Sequence, residues 1–473
     1  MATRREFLKT ATMASAGLAL SGSSIKLNAS SYRQIIGAND KVNLACVGIG
    51  NRGNEIIREF VKSQHVNFVA LCDIDLGGKQ SQQVLGMFPE AKRFVDFREM
   101  FDKMGNQFDA VTAAIPDFAH FPVVMRSIKE GKHIYVEKPM TRTFYEAEMM
   151  MEAAKKYPKV VTQMGNQGHS EGNYFQFKAW QEAGIIKDVT AVTAHMNNVR
   201  RWHQFDPKIY KYIDADPMPE GINWDVWNMA NQYHVYSERY HQGNWRCWYD
   251  LGVGVLGDWG AHIIDTVHHF LDLGLPYEIN PLMLKDHNEY FYPMSSTLLF
   301  RFAARKKMPA LDITWYDGLD NIPQVPEGYG RVAIDPNIPA VAGGQIQPSR
   351  LNPGKEIYSK TLTFKGGSHG STLSIIPEEK AKDMESKLPE VPKSPSSHYE
   401  NFLLSCLGKE KARSSFEIAG PLSQVFCLGI IAQRLYAKLD FDPVKKQITN
   451  NPFANAMLWG LPPRKGWEDY YKL

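Results

Sequence analysis

Gly48-Ile49-Gly50-Asn51-Arg52-Gly53 has the glycine spacing a main chain needs to turn tightly beneath a pyrophosphate. Gly48 makes the turn and Gly50 lets the backbone approach the phosphates. Gly53 allows close packing of a helix that opens at Asn51 and Arg52 with its N-terminus toward negative charge. Twenty positions past Gly53 stands Asp73. A carboxylate there accepts hydrogen bonds from adenosine ribose hydroxyls and repels a 2′-phosphate, which favours NAD over NADP. Capping of the next helix is the competing role for Asp73, and Asp75 competes for the ribose.

Further along, Lys138 sits in Glu137-Lys138-Pro139 at the end of an apolar run. An ammonium beside a dinucleotide and a substrate hydroxyl favours a developing alkoxide, although a lysine at a strand end is ordinarily just solvated. Asp258 and His262 are four apart, which puts both on one face of a helix. An imidazole titrates near neutral pH and suits proton transfer in either direction. Asp258 is then expected to hold the ring or a substrate hydroxyl, with Asp265 as the alternative orienting group; His268 and His269 read as ordinary helix residues. Between these sites lies an aromatic stretch with Trp202, Trp224, Trp227, Tyr233, Tyr236, Tyr240, Trp245 and Trp248. Aromatic faces pack against the C–H faces of pyranose rings, but they also build cores. His195, Asn197, Asn198, Arg200, Arg201 and Arg246 are available as polar contacts.

The elements that must position these groups change character along the chain. Alternating strand and helix patterns predict strands over 42–47, 68–72, 110–115, 133–136 and 159–163, with helices from the glycine turn to about 62, over 120–130 and over 144–156. Such alternation specifies an α/β fold with a doubly wound parallel sheet. After Gly165, longer alternating strands at 190–195, 296–302 and 310–315 predict an α+β domain with a largely antiparallel sheet. Helices are expected over 396–407 and 422–438, and long loops over 321–354 and 377–397.

At the start, Thr3-Arg4-Arg5-Glu6-Phe7-Leu8-Lys9 precedes a weakly apolar run to Leu20 and the small-residue site Leu27-Asn28-Ala29. That is the pattern of a twin-arginine export signal. The expected organisation is a signal over 1–29, a nucleotide-binding domain over 40–165 and a substrate-binding and oligomerisation domain over 166–473, with the mature chain periplasmic or otherwise exported. A net charge of +3 over 473 residues, without clustering, supplies no field for nucleic acid. No later stretch has the uncharged length of a membrane span. Five cysteines at irregular spacing contain no CxxC pair.

The glycine turn, Asp109-Ala110-Val111 running into Ile115-Pro116-Asp117, His120, and Gly131-Lys132-His133-Ile134-Tyr135-Val136-Glu137-Lys138-Pro139 together resemble the glucose–fructose oxidoreductase / inositol dehydrogenase / MocA (Gfo/Idh/MocA) superfamily. The resemblance covers nearly all of the chain after Lys41. It implies a Rossmann domain whose cofactor contacts include Pro116, His120, Glu137 and Lys138, with Lys138 beside the nicotinamide and the reacting carbinol. It likewise implies that His262 takes the hydroxyl proton with Asp258 beside it in the substrate site, and that hydride transfer proceeds without a metal; Arg246 is expected in the substrate site as one of the polar contacts named above. A homo-oligomer formed through the second sheet is a further implication. Ser397-His398-Tyr399-Glu400-Asn401-Phe402 and Gly420-Pro421-Leu422 resemble structural elements of a bacterial branch.

The leading expectation is an NAD(P)-dependent oxidoreductase acting on a secondary carbinol of a sugar or polyol. The alternatives are an NAD-dependent glycosidase, working by transient oxidation, elimination, water addition and reduction, and a non-catalytic sugar-binding protein. Intact Lys138 and His262 argue against the last.

Overall fold

Apolar runs too short for helices become the strands of a sheet buried on both faces. These are β1 (Val42–Val47), β2 (Val66–Cys72), β3 (Lys92–Phe94), β4 (Ala110–Ala113), β5 (His133–Glu137) and β6 (Thr162–Gly165). All pair in parallel, in the order β3-β2-β1-β4-β5-β6. The order reverses between β1 and β4, which opens a crevice at their C-terminal ends. The computed structural model describes residues 40–197, 208–241, 243–306, 308–319, 321–330 and 351–473. The export motif therefore lies outside the described residues, as do Asn198, Arg200, Arg201 and Trp202. β6 starts later than the expected 159–163 because Val160 N still donates to Tyr157 O at 2.9 Å, closing a turn after the Phe144–Lys156 helix.

The second sheet has nine strands. They are β7 (Val189–Met196), β8 (Glu278–Lys285), β9 (Ser295–Phe302), β10 (Leu311–Asp317), β11 (Gly354–Ser359), β12 (Thr363–Gly367), β13 (Leu373–Ile376), β14 (Leu439–Asp442) and β15 (Gln447–Ile448). Their order is β13-β12-β11-β7-β10-β9-β8-β14-β15. Neighbours run antiparallel except β7 and β10, which are parallel. Along β10, Ile313 and Trp315 are buried while Asp312, Thr314 and Tyr316 are half-exposed, the alternation of a sheet with one covered face.

The segment expected as a loop over 377–397 contains a helix, Glu378–Met384. No side chain of it is buried, so no apolar periodicity betrays it; Glu378 and Glu379 in the first turn and a Glu378–Lys382 ion pair at 3.0 Å support it. Of the expected loop over 321–354, residues 331–350 lie outside the described residues. The helix expected over 422–438 runs Phe416–Leu435 and carries Pro421 inside it. Burial of Phe416 and Ala419 outweighs the one bond Pro421 cannot donate. Among the described residues this helix is long and apolar enough to cross a membrane, yet 83% of its apolar window is buried inside the protein. Gly420 rests on Met151 and Gly429 on Leu256 and Phe300, as a central core helix would.

The chain also returns to the first sheet. Tyr399, Phe402 and Leu403 of the His398–Cys406 helix join Leu44, Cys46 and Phe60 in one apolar cluster. His398 anchors this helix, with Nε2 3.0 Å from Met164 O and Nδ1 3.0 Å from Ser170 Oγ. Burial pushes its pKa from 6.5 to about 3. The native state therefore refuses a proton that the unfolded chain accepts, so this contribution to stability is complete above 6.5 and is lost as pH falls toward 3. Between pH 6 and 4, the stability of His398→Gln should fall less steeply than that of the wild type, by up to about 1.4 kcal/mol per pH unit. Parallel stability–pH curves in denaturant titrations would refute this.

Candidate active site

The glycine turn follows β1 directly. Gly48 has φ +81°, and a Cβ there would collide with the Ala114 carbonyl; a Cβ on Gly53 would collide with Gly48 O. The Asn51–Phe60 helix opens on Gly50, which has no side chain to cap it; Gln80 Oε1 accepts from Asn51 N, and Gly50, Asn51 and Arg52 line the crevice. Asp73 Oδ2 accepts from Ile49 N at 2.8 Å and Gly50 N at 3.1 Å, and Oδ1 accepts from Asp75 N at 3.0 Å. It does not cap the Lys79–Met87 helix, whose N-cap is Gly78 with no side-chain bond. A clash-locked turn, a helix start at the crevice and a carboxylate just after β2 fit a dinucleotide.

A cleft of about 860 Å³ runs from Asp73 and Asp75 past the glycine turn to His262. Of the positions expected to bind cofactor or carry out the chemistry, Gly48, Gly50, Asn51, Arg52, Asp73, Pro116, Glu137, Lys138, Arg246, Asp258 and His262 line it, and Gly53 and His120 do not. His120, expected among the cofactor contacts, is fully buried, with Nδ1 3.0 Å from Pro139 O and Nε2 2.9 Å from Ile115 O. It ties the two cleft loops together instead. Arg52 reaches Glu137 Oε1 at 3.1 Å and Tyr399 Oη at 3.1 Å. Tyr399, read from sequence as purely structural, thus braces a cleft residue.

Lys138 Nζ, at the end of β5, donates to Asp258 Oδ1 at 2.7 Å and to the Asp258 carbonyl at 2.9 Å. An ammonium has three donors, so one remains for a ligand. Burial lowers the lysine's pKa and the facing Asp258 opposes that fall. Asp258 was expected to hold the histidine ring or a substrate hydroxyl; its carboxylate binds Lys138 and faces Arg246 Nε at 3.5 Å. Arg246 lies over the Trp245 ring at 4.3 Å and 3.9 Å from Asp117. Asp117, which sequence reasoning did not single out, has its pKa raised to about 7 by burial, against the pull of Arg246.

His262 shares the Gly254–Ile263 helix with Asp258. Its pKa lies well below the ordinary histidine value because it is buried and because His369 and Lys138 are near. Titration is therefore shifted below the neutral range expected from the residue type, toward the uncharged ring. Asp265 does not orient it; Asp265 pairs with His169 at 2.8 Å. His369 also lines the cleft, and its ring stacks on His262 at 3.8 Å. Nothing in the sequence marks it, since Gly366-Gly367-Ser368-His369-Gly370 signals a turn but not where its tip lies.

Most of the aromatic stretch is core. Trp224 stacks on Trp227 at 4.0 Å, and Tyr240 meets Trp248 edge-on at 5.5 Å. Trp227 and Trp245 present surface to the cleft, whereas Tyr233 is 55% exposed. His195 and Asn197 are buried on β7 and beyond it, bonded to Glu356 at 3.1 Å and Leu351 O at 2.7 Å, and take no part in the cleft.

Comparison with known proteins agrees with this geometry. The profile of the GFO_IDH_MocA oxidoreductase family, NAD-binding Rossmann fold, matches residues 42–164, and that of the family's C-terminal alpha/beta domain matches residues 178–285. A glycosyl hydrolase family 109 protein of Shewanella baltica is 27% identical over 183 residues, covering 34% of this chain and 39% of that protein. Inositol 2-dehydrogenase of Salmonella typhimurium is 28% identical over 142 residues, covering 30% of this chain and 41% of that protein. The chain thus spans about two fifths of the length of the curated relatives it matches. Two solved structures share the fold. The aldose-aldose oxidoreductase of Caulobacter crescentus has a TM-score of 0.54 at 14% identity, covering 85% of this chain and 100% of that one. The WlbA dehydrogenase of Bordetella pertussis, solved with NADH and UDP-GlcNAcA, has a TM-score of 0.55 at 14% identity, covering 85% and 99%. With both profiles falling in order on the two sheets and the cleft residues converging between them, the chain belongs to the Gfo/Idh/MocA oxidoreductase family, with its NAD-binding Rossmann fold.

Proposed function

We propose that the protein oxidises or reduces a secondary carbinol of a sugar or sugar-like polyol, with Lys138 and His262 at the reacting oxygen. The observation that carries this reading is a single cleft joining the glycine turn and Asp73 to Lys138, Asp258 and His262. A bound nicotinamide dinucleotide supplies the hydride chemistry. Asp258 fixes the Lys138 ammonium, which keeps one donor for the substrate oxygen and favours negative charge there. His262, neutral at pH 7, accepts the hydroxyl proton in the oxidative direction. Trp227 and Trp245 line the cleft and supply apolar surface for the C–H face of a sugar ring. The test is incubation with NAD and a panel of aldoses, inositols and glycosides. Formation of NADH, bound to the protein or free, is expected; neither NADH nor aglycone release with any of them would remove the proposal.

A second reading, redox-neutral cleavage of a glycoside, is favoured by relatives named as glycosyl hydrolases. Aglycone release without NADH accumulation would select it.

NAD is proposed over NADP because the Asp73 carboxylate lines the cleft beside the glycine turn, where it would accept from ribose hydroxyls and repel a 2′-phosphate. Asp73→Ala should weaken NAD binding about tenfold or more while leaving NADP binding little changed. A wild type that already prefers NADP in fluorescence titration would refute the ribose role.

Arg4-Arg5 and the run that follows support export by the twin-arginine route. An exported enzyme meets no replenished nucleotide pool, so the cofactor must travel with the folded protein and dissociate slowly. Mature protein purified without added nucleotide should carry stoichiometric nicotinamide dinucleotide that dialysis removes slowly. Protein that emerges empty and binds NAD only weakly would overturn this. Assembly as a homo-oligomer through the half-exposed face of the second sheet is proposed on the same footing, with light scattering as its test.

A further inference from the structure

The β12–β13 hairpin tip enters the cleft because its surroundings leave it no other course. A Cβ on Gly370 would run into the Glu171 side chain, and Gly370 O accepts from Asn173 N at 3.2 Å. Between them His369 takes a left-handed backbone, φ +50°, an uncommon state for a residue with a side chain. His369 N donates to His262 O at 3.0 Å, and Ser368 Oγ lies 2.8 Å from His369 Nδ1. The two imidazoles are thereby brought face to face, 3.8 Å apart and 17° from parallel.

His262 depends on that contact for its orientation. Its Nδ1 is buried without a hydrogen-bond partner among the described residues, so no described carboxylate or carbonyl fixes the ring plane through that atom. What borders the ring is the edge of Trp259 at 6.2 Å and the face of His369. The charged and titratable groups around it are His369 from the hairpin, Lys138 from β5, Asp258 from its own helix and Arg52 from the helix after β1. Two imidazolium rings in face contact would repel each other, so such a pair titrates in two linked steps.

We propose that His369 is the positioning residue of His262: it sets the plane of the ring and confines the stacked pair to a single proton, which leaves His262 ready to accept one from substrate. The inference rests on the reading of His262 as proton acceptor, but its pairing with His369 can be measured without substrate or nucleotide.

The experiment follows the imidazole resonances of both rings by NMR as a function of pH, in the wild type, His369→Asn and His369→Arg. Asparagine tolerates the left-handed backbone and removes ring and charge, whereas arginine keeps a planar cation at every pH. In the wild type each ring should report both steps. In His369→Asn the His262 midpoint should rise by about one pH unit, and in His369→Arg it should not rise. Where turnover is measurable, the acidic limb of its pH profile should move up with the midpoint in His369→Asn, an effect that a merely structural role would not produce. An unchanged His262 midpoint in both variants overturns the proposal. Should either variant fail to fold, independent single-step titration of the two wild-type rings does the same. If the wild type turns over none of the sugars offered, the functional reading fails while the titration still decides the pairing.

Discussion

Lys138→Met should lower turnover about hundredfold or more while leaving the fold and NAD affinity near those of the wild type. The Lys138 ammonium is the cationic donor bound directly to Asp258, and its remaining hydrogen is the one available to a substrate oxygen. Methionine preserves length and apolar stem but removes charge and donors, so the loss should fall on the transition state, where charge develops on that oxygen. The variant should still fold, because Arg246 Nε lies 3.5 Å from Asp258 and can balance the carboxylate left behind. Steady-state kinetics beside a thermal melt and an NAD titration check this. Near-wild-type kcat in a folded, NAD-binding variant would remove Lys138 from the chemistry.

Gly48→Val should reduce NAD affinity about hundredfold or more and destabilise the protein besides. The position has φ +81°, which costs a β-branched residue about 1–2 kcal/mol or more. Its Cβ would also fall on the Ala114 carbonyl and 2.7 Å from Ile115 Cγ2, neither of which can retreat without moving the end of β4. The turn must therefore open, and the helix start at Asn51 moves away from where phosphates would lie. A melt together with calorimetric NAD titration separates the two losses. Unaltered NAD affinity would mean that the pyrophosphate is held elsewhere.

Much of this site was legible because nucleotide binding by this fold is local in sequence. A strand, a glycine turn, a helix start and an acid at the next strand end follow one another over 42–73, and each constrains the backbone by itself. The errors fell where local and tertiary signals part. His120 has the residue type of a ligand contact, but burial between Ile115 O and Pro139 O made it a brace. Asp265 stands one helical turn from His262, yet chain packing brought it His169 instead. Aromatic residues that suggested a carbohydrate platform close mainly on one another, because a stretch with few regular elements needs a core of its own.

The sequence by itself determined the parallel sheet, the dinucleotide turn and the two segments that carry Lys138 and the Asp258–His262 pair, since those depend on periodicity, glycine sterics and i,i+4 spacing. Only the tertiary structure decided which groups meet. Lys138 and Asp258 are 120 residues apart and bond at 2.7 Å; His262 and His369, on a helix and a distant hairpin, stack at 3.8 Å. Such contacts arise from the packing of segments far apart in the chain, and no residue type or spacing along the chain encodes them singly. The same packing buries His262 and sets its proton affinity, because desolvation and neighbouring charge exist only once the cleft has formed.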